Sequence, residues 1–165
     1  MSRIIIVMGV SGSGKTTLAK AIASEYNGLF IEGDEFHPFS NIEKMKAGIP
    51  LTDQDRFPWL ISLNQKIKTH LGETIIVACS ALKQLYRNQI TKDIPINSLV
   101  WVQLNCDVIT LTNRMKNRSH FMPVSLLQNQ LDTYEHCDNA LILDSTKNIT
   151  QLIQQLKKFI HEQKN

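Results

Sequence analysis

Gly9-Val10-Ser11-Gly12-Ser13-Gly14-Lys15-Thr16 matches the pattern G-x-x-x-x-G-K-[ST] at every specified position. It lies between the apolar run Ile4–Val7 and a segment in which Leu18, Ile22 and Tyr26 recur every four residues. A strand, a glycine-rich loop and an amphipathic helix in that order are the context a phosphate loop needs. The glycines let the backbone close around a phosphate with its N–H groups inward, and the helix N-terminus adds partial positive charge. Lys15 is placed to reach the β- and γ-phosphates, and the Thr16 hydroxyl to face Mg²⁺. Gly9, Val10, Ser11, Gly12, Ser13, Gly14, Lys15, Thr16 and Thr17 are therefore the expected nucleotide contacts, with ATP and Mg²⁺ as the expected cofactors.

Outward from this loop, short apolar runs alternate with helix-period segments. The strands are read at Ile4–Val7, Leu29–Glu32, Thr74–Ala78, Leu99–Leu104 and Ala140–Leu143. Near-continuous apolar strands separated by helices indicate an α/β fold, a parallel sheet covered on both faces. Val108, Leu111, Thr112 and Met115 form one further helical stripe; Ile149, Leu152, Ile153, Leu156 and Ile160 form another. Leu60, Leu63, Ile67 and Leu71 mark a helix preceded by Thr52-x-x-Asp55, a capping-box pattern. Pro58 either kinks that helix or sits near the first turn of a second one. Residues 34–58 and 114–125 do not fit the alternation, so the chain reads as one domain over 1–165, with a substrate-side insertion at 34–58 and a lid at 114–125.

With 165 residues, 42% of them apolar and 20% charged, the chain has the composition of one folded globular domain rather than a disordered or collagenous one. The net charge of +3 suits a small anion and is too slight to indicate nucleic acid. Cys79, Cys106 and Cys137 are scattered and odd in number, which points to a reducing, cytoplasmic setting. No apolar stretch approaches the roughly 20 residues of a membrane span, and no export segment is expected.

A phosphate loop specifies a nucleotide and leaves the reaction open. Neither an Asn-Lys-x-Asp string nor an Asp-x-x-Gly string occurs, and the third strand runs into Cys79-Ser80, where many ATPases carry a metal-binding aspartate. A small kinase is favoured over a GTPase or motor. Glu32-Gly33-Asp34 closes the second strand at the carboxyl edge of the sheet, where open α/β folds bind ligands. Asp34 is suited to accept a hydroxyl proton, and Glu32 to hold a water on Mg²⁺. His37, Arg56, Lys83 and Arg87 add cations, with Lys83 and Arg87 four apart on one helix face, so an acidic acceptor is indicated. Arg114 and Arg118 are likewise four apart; Arg118 is placed over the transferring phosphoryl group and Arg114 near the base. Lys15, Asp34 and Arg118 are the expected catalytic residues.

The phosphate loop, Glu32-Gly33-Asp34-x-x-His37-Pro38, Asn41-Ile42-Glu43-Lys44-Met45, Gly48-Ile49-Pro50-Leu51-x-Asp53-x-Asp55-Arg56, Pro58-Trp59-Leu60, Cys79-Ser80-Ala81-Leu82-Lys83-x-x-Tyr86-Arg87 and His120-Phe121 together resemble the small P-loop gluconokinases. The resemblance runs from the first strand to about Glu135. It implies a three-layer, nucleoside-monophosphate-kinase-like fold with a lid and strand order 2-3-1-4-5. It also implies transfer from ATP to the 6-hydroxyl of D-gluconate, giving 6-phosphogluconate. Substrate contacts would come from Asp34, His37, Arg56, Lys83, Arg87, His120 and Gln130, in a homodimer with no nucleic-acid or membrane partner. The chain departs from the family pattern at Asn129–Cys137 and at Arg118-Ser119, where a glycine is usual before the lid histidine. A shikimate-type hydroxy-acid kinase and a nucleotide-binding regulatory or nucleic-acid-binding module are the competing readings.

Overall fold

In the computed structural model, which describes residues 2–163, strands and helices alternate along the chain. The order is β1 (Ile4–Met8), α1 (Lys15–Tyr26), β2 (Leu29–Glu32), α2 (Phe39–Lys46), α3 (Asp53–Lys68), β3 (Ile75–Ala78), α4 (Gln84–Ile90), β4 (Leu99–Asn105), α5 (Val108–Lys116), α6 (Leu127–Thr133), β5 (Ala140–Asp144) and α7 (Ile149–Glu162). The five strands pair in parallel in the order β2-β3-β1-β4-β5, as the resemblance implies, and each strand boundary falls within one residue of its sequence reading.

Alternating strand residues feed two cores. Ile4, Ile6, Met8, Ile75 and Val77 pack with Trp59, Leu60, Leu63 and Ile67 of α3 and with Tyr86 and Ile90 of α4. Ile5, Val7, Ile76, Val100 and Val102 pack on the other face with Leu18 and Ile22 of α1 and Leu152 and Leu156 of α7. Two buried faces explain why the strands read as unbroken apolar runs.

The parallel arrangement brings every strand's carboxyl end to one edge, where β1 runs into the phosphate loop and β2 into a short 3-10 turn at Gly33–Phe36. Gly33 is required there. A Cβ on it would lie 2.5 Å from the Ala78 carbonyl oxygen, so only glycine lets this turn approach the end of β3 and carry Asp34 beside the loop.

The capping box at Thr52 and Asp55 is present: the Thr52 hydroxyl accepts from the Asp55 N–H, and the Asp55 carboxylate from the Thr52 N–H. The helix continues unbroken through Pro58. One missing backbone hydrogen bond in its second turn is outweighed by burial of Trp59, Leu60, Leu63 and Ile67, each contributing roughly 1.5–3 kcal/mol. Among the described residues no helix is long and apolar enough to cross a membrane.

Candidate active site

A cavity of about 330 Å³ opens at the carboxyl edge of the sheet, and residues of the phosphate loop and of the acidic segment after β2 line it together. One wall holds Ser11, Gly12, Gly14, Lys15, Thr16 and Thr17; the other holds Glu32, Asp34, His37 and Arg56. The 114–125 segment closes over both with Arg118, His120, Phe121 and Met122.

Gly14 precedes α1 with φ of 93° and no side-chain cap, which leaves the first N–H groups of the helix open to an anion. Lys15 Nζ donates to the Val10 carbonyl at 2.9 Å, and burial pulls its pKa below the ordinary lysine value, with nearby Asp34 opposing. The Thr16 hydroxyl donates to Glu32 Oε2 at 2.5 Å, so a hydroxyl and a carboxylate oxygen share one corner of the cavity. Arg118 donates to the Ser11 hydroxyl. Asp34 is partly covered; burial works to raise its pKa, but the hydrogen bond from His120 and the nearby Lys15 hold it below the usual carboxylate value.

His37 stacks on Trp59 with ring centroids 4.0 Å apart, and burial pushes its pKa down to about 4. It is therefore neutral at pH 7, not one of the cations expected. The unfolded chain binds this proton near pH 6.5, so between pH 6.5 and 4 it holds more protons than the native state, and stability falls as pH falls through that window. Asp34 acts lower: its depressed pKa supplies stability above the unfolded value near 4, lost only as pH drops further. Urea midpoints should fall from pH 7 to pH 4.5 by the equivalent of about 2–3 kcal/mol from His37. His37→Phe, which retains a ring on Trp59, should flatten that slope; an unchanged slope would acquit His37.

Arg56 Nη1 donates to the Leu51 carbonyl at 2.8 Å and to the Tyr86 hydroxyl at 3.0 Å. Its Nε and Nη2 have no partner among the described residues, which leaves one edge of the guanidinium for a ligand in the cavity it lines. Lys83 and Arg87, expected beside it, do not line the cavity. Lys83 is the residue before α4 and not on its face; its Nζ lies 3.2 Å from Asp53 Oδ1. Arg87 is 1% exposed and turned inward, donating to the carbonyls of Ala81, Leu82, Glu135 and His136. A spacing of four residues puts two side chains on one helix face only when both belong to the helix, and it does not say whether that face is inside.

The same correction applies to Arg114 and Arg118. Helix α5 ends at Lys116, so Arg118 lies beyond it and reaches the loop from the connecting segment. Arg114 donates to the Gly12 carbonyl at 3.3 Å and to the Ser145 carbonyl at 3.0 Å, bridging the outer side of the phosphate loop to the turn after β5. Gln130, expected at the substrate, lines the cavity but points its Oε1 at the Ser11 N–H, 2.6 Å away.

Residues not singled out by their chemistry complete the walls. Met45, Leu51, Trp59, Phe121, Met122 and Leu126 give the cavity an apolar rim. Asn41, 2% exposed, bonds His37 Nδ1 and the Asp55 carbonyl. Its place in the Asn41–Met45 stretch of the family pattern was the available signal.

A family model described as ABC transporter matches residues 1–158. The strand, phosphate loop and helix unit is what such ATP-binding domains have in common with this chain. Thermosensitive gluconokinase of Escherichia coli K12 is 44% identical over 133 residues, covering 79% of this chain and 70% of that protein. The crystal structure of a gluconokinase from Sinorhizobium meliloti superposes with a TM-score of 0.84 at 40% identity, over 97% of this chain and 92% of that one. Shikimate kinase from Acinetobacter baumannii, at 18% identity and a TM-score of 0.67 over 99% and 96% of the two chains, shares the fold alone.

Proposed function

This chain belongs to the gluconokinase family, a group of P-loop kinases, and from that membership we propose that it transfers the γ-phosphoryl group of ATP to the 6-hydroxyl of D-gluconate, giving 6-phosphogluconate and ADP. The observation that carries the proposal is the common cavity: the amide-lined loop with Lys15 and the Asp34, His37 and Arg56 wall open onto one space. Donor and acceptor can then be held in line, and positioning supplies much of the acceleration in phosphoryl transfer.

In this reading the loop amides and Lys15 bind the β- and γ-phosphates, while the free edge of Arg56 takes the sugar-acid carboxylate against the rim of Trp59 and Leu51. Asp34 accepts the proton of the attacking hydroxyl, that oxygen bonds to the γ-phosphorus, and the β–γ bridging oxygen leaves with ADP. Lys15 and Arg118 offset charge on the transferring group's oxygens. Lys83 shares Asp53 with Arg56 and steadies the pocket from outside the cavity, and Arg87 takes no part in binding.

Hard oxygen donors suit Mg²⁺, and the Thr16 hydroxyl beside Glu32 Oε2 fits a magnesium ion held by Thr16 directly and by Glu32 through water. When bound, the ion neutralises phosphate charge. The 114–125 segment serves as the lid, seated by Phe121 and Met122 on Met45, Leu51 and Leu126.

Coupled ADP release measured with gluconate, shikimate, glucose and nucleoside monophosphates tests the assignment. Gluconate should exceed each of the others in kcat/KM by at least about 10²-fold; comparable turnover of shikimate or another acceptor would overturn it. Arg56→Ala should raise the KM for gluconate about 10–100-fold and leave the KM for ATP within about threefold. Equal effects on both would remove Arg56 from the acid pocket.

A further inference from the structure

We propose that His120 is a positioning residue: carried by the lid, it holds the Asp34 carboxylate in its reactive orientation, so that lid docking and arming of the proton acceptor are one event. The inference rests on the assignment of Asp34 as that acceptor.

The hydrogen bonds define the tautomer. His120 Nδ1 lies 3.1 Å from the Met122 backbone nitrogen, which can only donate, so Nδ1 is the lone-pair nitrogen and the ring proton sits on Nε2. That Nε2 is 3.2 Å from Asp34 Oδ2 and donates to it. A second imidazole of the same tautomer stands near the other carboxylate oxygen without bonding it. Asn41 Nδ2 faces the Asp55 carbonyl at 2.8 Å, which identifies it as the amide nitrogen, and it is 3.2 Å from His37 Nδ1. His37 therefore also carries its proton on Nε2, but at 4.0 Å from Asp34 Oδ1 it is too far to donate a hydrogen bond.

Asp34 thus has an imidazole Nε2 near each oxygen, and of the two only His120 is close enough to donate to it. The two rings differ in what holds them. His37 is clamped by Trp59 and Asn41 within the fixed wall. His120 belongs to the lid, stacks on Phe121 at 4.1 Å, and reaches Asp34 while Phe121 is packed in the Met45, Leu51 and Leu126 cluster. Among the described residues no other side chain hydrogen-bonds the carboxylate, so the His120 bond is what fixes its plane, leaving its remaining lone pairs to face the acceptor hydroxyl. The other charged groups facing Asp34 are Lys15 and Arg118 across the cavity.

Three variants and one spectrum test this. His120→Phe keeps a ring against Phe121 and removes the donor; it should lower kcat with gluconate about 10–100-fold and leave the KM for ATP within about twofold. His120→Gln restores an N–H at the position of Nε2 and should recover most of the loss. In an Asp34→Asn background, His120→Phe should change kcat by less than about twofold, because the group it positions no longer takes the proton. Equal impairment in the Phe and Gln variants, or an undiminished effect in the Asp34→Asn background, would overturn the proposal.

Nitrogen-15 imidazole spectra of the unliganded protein at pH 8 provide a readout independent of turnover. Both His37 and His120 should show a protonated Nε2 and a bare Nδ1. A protonated Nδ1 on His120 would refute the positioning role whatever the substrate proves to be, whereas failure of gluconate turnover with the expected spectrum would instead refute the functional assignment.

Discussion

Asp34→Asn is expected to lower kcat with gluconate by about 10²–10⁴-fold while the KM for ATP changes by less than about threefold. The substitution is nearly isosteric, and the Asn oxygen can still accept from His120, so the fold and the lid contact survive. In the proposed reaction, what disappears is the ability to take a proton at the moment the hydroxyl oxygen attacks. Burial alone would raise the pKa of this carboxylate, yet the His120 bond and the field of Lys15 keep it low, so it is ionised throughout the neutral range, as the proposed role requires. Steady-state kinetics with each substrate varied, together with calorimetric ATP binding, separate the two effects. A kcat within about threefold of the parent would show that the hydroxyl loses its proton without help from Asp34.

Arg87→Met should act on stability rather than on substrate affinity. The guanidinium is buried, and its bonds tie the carbonyls of Ala81 and Leu82, next to the end of β3, to those of Glu135 and His136 beyond α6. The Glu135 N–H donates to the Leu82 carbonyl and the Gln84 N–H to the Glu135 carboxylate, so the two segments are already zipped together and Arg87 fills the remaining acceptors. Ala81 holds a left-handed conformation at φ of 44°, an unfavourable state for a residue with a Cβ, and Arg87 bonds its carbonyl.

Truncating the arginine leaves several buried carbonyls without donors, a loss of about 3–5 kcal/mol and a fall in melting temperature on the order of 10 °C. The KM for gluconate in the folded variant should move less than about threefold. A large rise in that KM with an unchanged melting temperature would return Arg87 to the substrate pocket.

The contrast between Arg56 and Arg87 shows where the sequence stopped being informative. Both follow patterned segments, both are basic, and both adjoin residues that line the cavity. Arg56 leaves one edge of its guanidinium open to the cavity, whereas Arg87 meets carbonyls supplied by residues about fifty positions later in the chain. Lys83 was misplaced for a more local reason: α4 begins one residue after it. Arg118 was expected on a helix that ends two residues before it, yet it arrives at the phosphate loop because the connecting segment folds back over the cavity.

From the chain alone one could deduce the nucleotide loop, the five buried strands, the Thr52–Asp55 helix cap and the presence of Asp34 at the sheet's carboxyl edge. Each is a short-range consequence of steric periodicity, glycine geometry or hydrogen bonding within a few residues. Only the tertiary structure decided which basic side chains face the cavity, that His37 is neutral, that Gln130 engages the Ser11 amide, and that His120 meets Asp34. Those outcomes depend on burial and on partners as far as 119 positions away, and no local pattern encodes the distance between such groups once the chain has folded.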